Sequence, residues 1–156
     1  MISILFTTSE KPLARLIRWA TGEDCSHTAI NWDGCIFQAN ARGVNTMHID
    51  EFLKENIVIH TVVLPDHPDE LDRIGNLATR LNNSPYDIGA LLFCGFVLFC
   101  RKALNLKSWP KMNFWQSSGM YMCTEFVTEY LNGGADSMIT PQQLYDRISN
   151  IPETSN

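Results

Sequence analysis

Asp33-Gly34 stands between two runs of strand-forming residues, Ser26 to Trp32 and Cys35 to Ala41. An Asp-Gly pair in that setting is among the strongest short signals for a β-hairpin. A two-residue turn also fixes the register. Trp32 then pairs with Cys35, Ala29 with Gln38, and His27 with Asn40. Alternation along a strand puts His27, Ala29 and Asn31 on one face. Gln38 falls on that same face, one diagonal step from His27.

The remaining elements follow from periodicity. Ile2 to Thr8 reads as a strand, and Ile57 to Leu64, rich in β-branched residues, as another. Pro12 to Ala20 carries Leu13, Leu16, Ile17 and Ala20 at helical spacing, with Lys11, Arg15 and Arg18 on the other face. Gly22 ends that helix. Asp66 to Leu81 is helical, with Leu71, Ile74, Leu77, Ala78 and Leu81 on one stripe. Tyr86 to Leu104 is expected to form a largely buried helix. Its apolar run, Ile88 to Cys100, is closed by Arg101 and Lys102 and falls short of the roughly 20 residues that span a bilayer.

Trp109 to Gly119 is polar-aromatic and irregular. Cys123 to Leu131 forms a helix that Gly133-Gly134 stops. Thr140 as N-cap and Pro141 at the first position open a last one. Strands early and helices late predict an α+β fold, a small antiparallel sheet packed against helices. No repeat or linker divides residues 1–156, which read as a single domain.

Composition narrows the function classes. The apolar share of 45% and charged share of 19% belong to a globular chain, and the formal charge is −5. That balance argues against a broad electrostatic grip on nucleic acid or anionic lipid, though a local basic patch stays open. The cysteines (Cys25, Cys35, Cys94, Cys100, Cys123) are odd in number and lack a CxxC pair, which suits reduced thiols. With no leader or lipidation motif in view, the expected location is the cytoplasm, or a virion if the chain is phage-encoded.

Cys123 is the candidate nucleophile. Phe126, Val127, Tyr130 and Leu131 follow it at +3, +4, +7 and +8, so the thiol sits in the first helical turn on the face turned inward. Free N–H groups and the positive dipole end at that position stabilise a thiolate, and the same N–H groups suit an oxyanion. The bland alternative is a small core residue. His27 is the candidate base, with Gln38 across the hairpin able to fix its tautomer. A hydrogen-bonded structural histidine is the alternative there, and Asn40 is the fallback for the third role. No His or Cys spacing suits a metal site, and no phosphate loop or dinucleotide fingerprint occurs, so no cofactor or metal is expected.

SHTAI, IFQANARGV, PYDIGALL, MCTEFVTEYLNGG and TPQQLY together resemble the circularly permuted NlpC-like hydrolases, from Ser26 to Tyr145. These are papain-like enzymes whose histidine strands precede the cysteine helix. The resemblance implies a papain-like fold, Cys123 as nucleophile, His27 as base and Gln38 as third polar residue. Relatives nearest this pattern carry glutamate where Gln38 stands, and a neutral amide supports an imidazolium less strongly.

The expected activity is hydrolysis of an amide or ester in a peptidoglycan peptide, another amide or a lipid acyl group. No nucleic-acid partner and no stable membrane insertion are expected, while a protein partner is compatible with the chain. The rival reading is a binding or assembly module, for example in a phage tail, that keeps the fold without the chemistry.

Overall fold

The computed structural model describes residues 1–65, 68–82, 84–87, 89, 93, 96, 97, 100, 120–134, 136 and 138–150. Five strands run β1 (Ile2–Thr8), β2 (His27–Trp32), β3 (Cys35–Asn40), β4 (Gly43–His48) and β5 (Ile57–Val63). The helices among the described residues are α1 (Pro12–Thr21), α2 (Ile49–Glu55), α3 (Glu70–Leu81), α4 (Cys123–Asn132) and α5 (Pro141–Ser149). The strands form one sheet in the order β4-β3-β2-β1-β5. Every neighbouring pair is antiparallel, so the α+β class is present.

Asp33 and Gly34 both take positive φ, 44° and 87°, which is the backbone of a two-residue hairpin turn. The register is Trp32 with Cys35, Asn31 with Ile36 and Ile30 with Phe37, as the turn dictates. β1 lies inside the sheet and is buried along its whole length, which is why ISILFTT carries large apolar side chains toward both faces. One face sets Ile4, Phe6 and Ile30 against Ile74, Phe126, Val127 and Leu144. The other holds a smaller cluster of Leu5, Ala29 and Ile36 under Phe52 of α2. Gly22 and Gly133 cap α1 and α4 in the left-handed conformation, as the glycine placement predicts.

Several features depart from the sequence reading. Strand β4 and helix α2 occupy residues that show little periodicity. Only the first two residues of β4 are fully buried, and the core side chain of α2 is Phe52 alone. Helix α3 begins at Glu70, because Pro68 and Asp69 form a turn. In α1 the apolar stripe is only partly covered, with Ile17 half-buried. Ala14 and Ala20 are buried, whereas Leu13 and Leu16 are exposed.

Positions 89, 93, 96, 97 and 100 are helical and half-buried or exposed, with Phe96 61% exposed, so the expectation of a largely buried helix fails there. The core face of the sheet is already filled by α3, α4 and α5. The rest of Tyr86 to Leu104 beyond residue 87, and the whole of Trp109 to Gly119, lie outside the described residues.

Candidate active site

Helix α4 starts at Cys123 because its N-terminus is closed from within. Met122 is extended and has no capping side chain to offer. Glu125 reaches back instead and accepts the Met122 N–H at 2.6 Å. The first internal bond runs from the Phe126 N–H to the Met122 carbonyl, so the N–H groups before it have no helical partner. Cys123 sits in that first turn at 5% exposure.

The hairpin supplies the rest. His27 Nε2 lies 2.9 Å from Gln38 Oε1. The imidazole N–H donates to the amide oxygen, which leaves Nδ1 for the thiol of Cys123, the other hydrogen-bond partner of this ring. The Gln38 amide is buried and held in turn, its Nε2 lying 3.4 Å from Asn45 Oδ1 and 3.3 Å from Met47 Sδ. Both holders belong to β4. Asn40, the fallback, is engaged elsewhere: its Oδ1 accepts from the Arg42 N–H at 2.9 Å and from Asn45 Nδ2 at 3.0 Å. The third position next to His27 is therefore filled by Gln38.

Electrostatics favour a charged pair. Burial alone would raise the Cys123 thiol, but the hydrogen bond and charge of His27, with the Thr28 N–H, bring it below its ordinary value. For His27 burial pulls down, and the hydrogen bond and charge of Cys123 with the hydrogen bond of Gln38 overcome it, so the imidazole is raised. Cys25 shows the contrast. Burial, with Asp24 and Glu23 nearby, pushes that thiol up to about 11.

A cleft of ≈ 160 Å³ opens on His27 and Gln38. Leu13, Ala14 and Ile17 of α1 form one wall, and Ala41 and Arg42 lie on another. Cys123 is not among its described lining residues, so the cleft meets the pair at the imidazole. Of the other histidines, His60 stacks on Tyr145 at 4.0 Å, and His48 caps α2 by accepting the Asp50 N–H at 3.3 Å. Both serve the fold.

Two buried carboxylates lie near the site, and it is their burial and mutual influence that the sequence did not show. Glu125 and Asp87 are fully buried. Burial pushes the Glu125 carboxyl up to about 7; the Met122 N–H opposes this, and Asp87 and Asp136 reinforce it. The one local signal was a Glu at the third helical position, which is where a capping box needs it.

A raised acid favours the folded state while protonated. Its contribution is complete below the ordinary value of 4.5 and is lost as pH rises to about 7. Urea unfolding across that window is expected to show the wild type losing roughly 3 kcal/mol relative to Glu125→Gln. Parallel curves for the two proteins would contradict this.

No family model matches the chain, and no curated protein matches it. Among solved structures it is similar to the metalloprotein yiiX from Escherichia coli O157:H7, a DUF1105 protein. The identity is 17%, the TM-score 0.51, and the match covers 92% of this chain and 90% of that one. At that identity the likeness is one of fold, and it extends over nearly the whole of both chains.

Proposed function

We propose that the protein is a cysteine-dependent hydrolase with a permuted papain-like, NlpC-type arrangement, cleaving an amide or ester through a thioester. The observation that carries this reading is the His27 ring, bonded to Gln38 at 2.9 Å on one side and to the Cys123 thiol on the other. A base oriented by an amide and paired with a thiol at a helix start is what acyl transfer to sulfur requires.

In the proposed cycle the Cys123 thiolate attacks the carbonyl carbon and the oxygen becomes an oxyanion facing the first-turn N–H groups. The His27 imidazolium gives its proton to the leaving amine or alcohol as the carbon–heteroatom bond breaks. Water then attacks the thioester, His27 takes a proton from it, and the acid departs with the thiolate restored. No cofactor enters. The substrate class stays that of the sequence reading: a peptidoglycan peptide, another amide or a lipid acyl group.

YiiX is described as a metalloprotein. Here, among the described residues, no group of three or more His, Cys, Asp or Glu side chains is placed to hold a metal ion.

The test is the alkylation rate of each thiol against pH in the folded protein, read by peptide mass spectrometry with a small reagent. Cys123 is expected to react well below the free-thiol value of about 8.5, ahead of Cys25, and to lose that lead in His27→Ala. A Cys123 no faster than Cys25 or Cys35 would leave the hydrolase without its nucleophile. The neutral Gln38 would then favour a binding module that keeps the fold.

A further inference from the structure

Strands β2 and β3 run for 6 residues each, yet they pair only from Trp32 with Cys35 to Ile30 with Phe37. Residues flanking a two-residue turn exchange both backbone bonds, so Trp32, Ile30 and Thr28 turn their N–H groups toward β3. Beyond Ile30 the ladder has ended, and the Thr28 N–H meets the sulfur of Cys123 instead. Helix α4 packs against both β2 and β3, which brings its first turn to the place where the two strands part.

Thr28 also offers its side chain. Alternation puts His27 on the sheet face of Ala29 and Phe52, and Thr28 on the opposite face, paired with Phe6. A sulfur in contact with the His27 ring, the Thr28 N–H and the Thr28 hydroxyl therefore lies level with the sheet, in the gap between the strands. Thr28 is fully buried, and its Oγ1 has no well-aligned partner among the described residues. A buried hydroxyl left in that state is costly to keep. Facing sulfur, it gains a full acceptor once the thiol has given up its proton.

We propose that Thr28 is a catalytic donor to the Cys123 thiolate, its hydroxyl holding the sulfur charge from the sheet face opposite His27. The inference rests on the hydrolase reading and adds a residue to it. The proton leaves Cys123 for His27 Nδ1, and the Thr28 hydroxyl turns onto the sulfur as the charge forms. Acylation removes that charge and the bond with it. When the second tetrahedral intermediate collapses, the C–S electron pair returns to sulfur and the hydroxyl regains its acceptor, which favours release of the acid.

The charged groups acting at the pair are His27 itself and Lys11. Glu125, with Asp87 acting on it, lies in the same helical turn, its carboxyl pushed up to about 7. Thr28 does not titrate, so removing its hydroxyl moves an existing midpoint and adds none.

The experiment is alkylation of Cys123 against pH by a small reagent in wild type, Thr28→Val and Thr28→Ser, with urea unfolding of each. Thr28→Val keeps the shape and the N–H but loses the hydroxyl. Its Cys123 midpoint is expected to rise by about one pH unit, or about tenfold less thiolate below it, with Cys25 unchanged. Thr28→Ser should return to within about twofold of wild type. Thr28→Val should be at least as stable as wild type in urea, because a poorly paired buried hydroxyl has gone.

An unmoved midpoint in Thr28→Val would overturn the inference and leave the hydrolase reading standing. So would a marked loss of urea stability in Thr28→Val, or a Thr28→Ser no closer to wild type, since either makes the side chain a packing element. A wild-type Cys123 that titrates like an ordinary thiol would overturn both.

Discussion

Cys123→Ala is expected to lower hydrolysis of an activated aryl ester by about a thousandfold or more, with unchanged circular dichroism. The thiol is 5% exposed at the start of α4, and replacing it removes one heavy atom from a helix closed by Glu125. The fold should therefore survive the loss of the thiol. His27→Ala should cost about a hundredfold to ten-thousandfold, because the thiol then loses both its hydrogen bond and its stabilising charge.

Gln38→Ala should cost less than either change, since the thiol contact of His27 remains while the 2.9 Å bond fixing its ring is lost. Comparable hydrolysis by wild type and Cys123→Ala would place the chemistry elsewhere. If the order were inverted, with Gln38→Ala the most damaging change, the amide would be more than an orienting group.

Gly43→Ala is expected to lose about 4 kcal/mol in urea unfolding, from backbone strain and steric overlap together. Gly43 has φ of +94°, a region that alanine enters only with strain. A β-carbon there would stand 2.5 Å from the Ser84 carbonyl oxygen, a backbone atom that cannot rotate aside. The close approach exists because the Val44 N–H donates to that same oxygen at 2.9 Å.

The consequences should reach the site. The segment after Ser84 pairs with residue 121 through the Tyr121 N–H to the Pro85 carbonyl at 3.1 Å, just ahead of α4. Tyr86 lines the cleft, and Asp87 acts on Glu125. Slower Cys123 alkylation should therefore accompany the lost stability. A loss within about 0.5 kcal/mol, the range of an ordinary surface change, would show that the strand edge yields.

Local chemistry was written plainly in this chain. Asp33-Gly34 determined a hairpin turn and its register, because a two-residue loop leaves the strands no other pairing. That register, with alternation along the strands, places Gln38 on the hairpin face that carries His27, where the two meet at 2.9 Å. The apolar spacing after Cys123 likewise determined a helix start with the thiol in its first, inward-facing turn. Both are short-range facts, set by backbone geometry and side-chain alternation within a few residues.

What the sequence left open depends on elements far apart in the chain. Nothing in the spacing joins Cys123 to His27; α4 packed across the sheet brings them together. Asn45 and Met47, which hold Gln38, sit on a strand with too little buried face to announce itself. The raised carboxyl of Glu125 exists only because tertiary packing removes it from water beside Asp87. Periodicity also predicted the apolar stripe of α1 but not which of its residues are covered, Ala20 being buried and Leu16 exposed, since that depends on what packs against the helix. The sequence by itself determined turns, helix starts and alternation, which are local; burial, proton affinity and the meeting of thiol with imidazole were decided by the tertiary structure, because each depends on residues that only the fold makes neighbours.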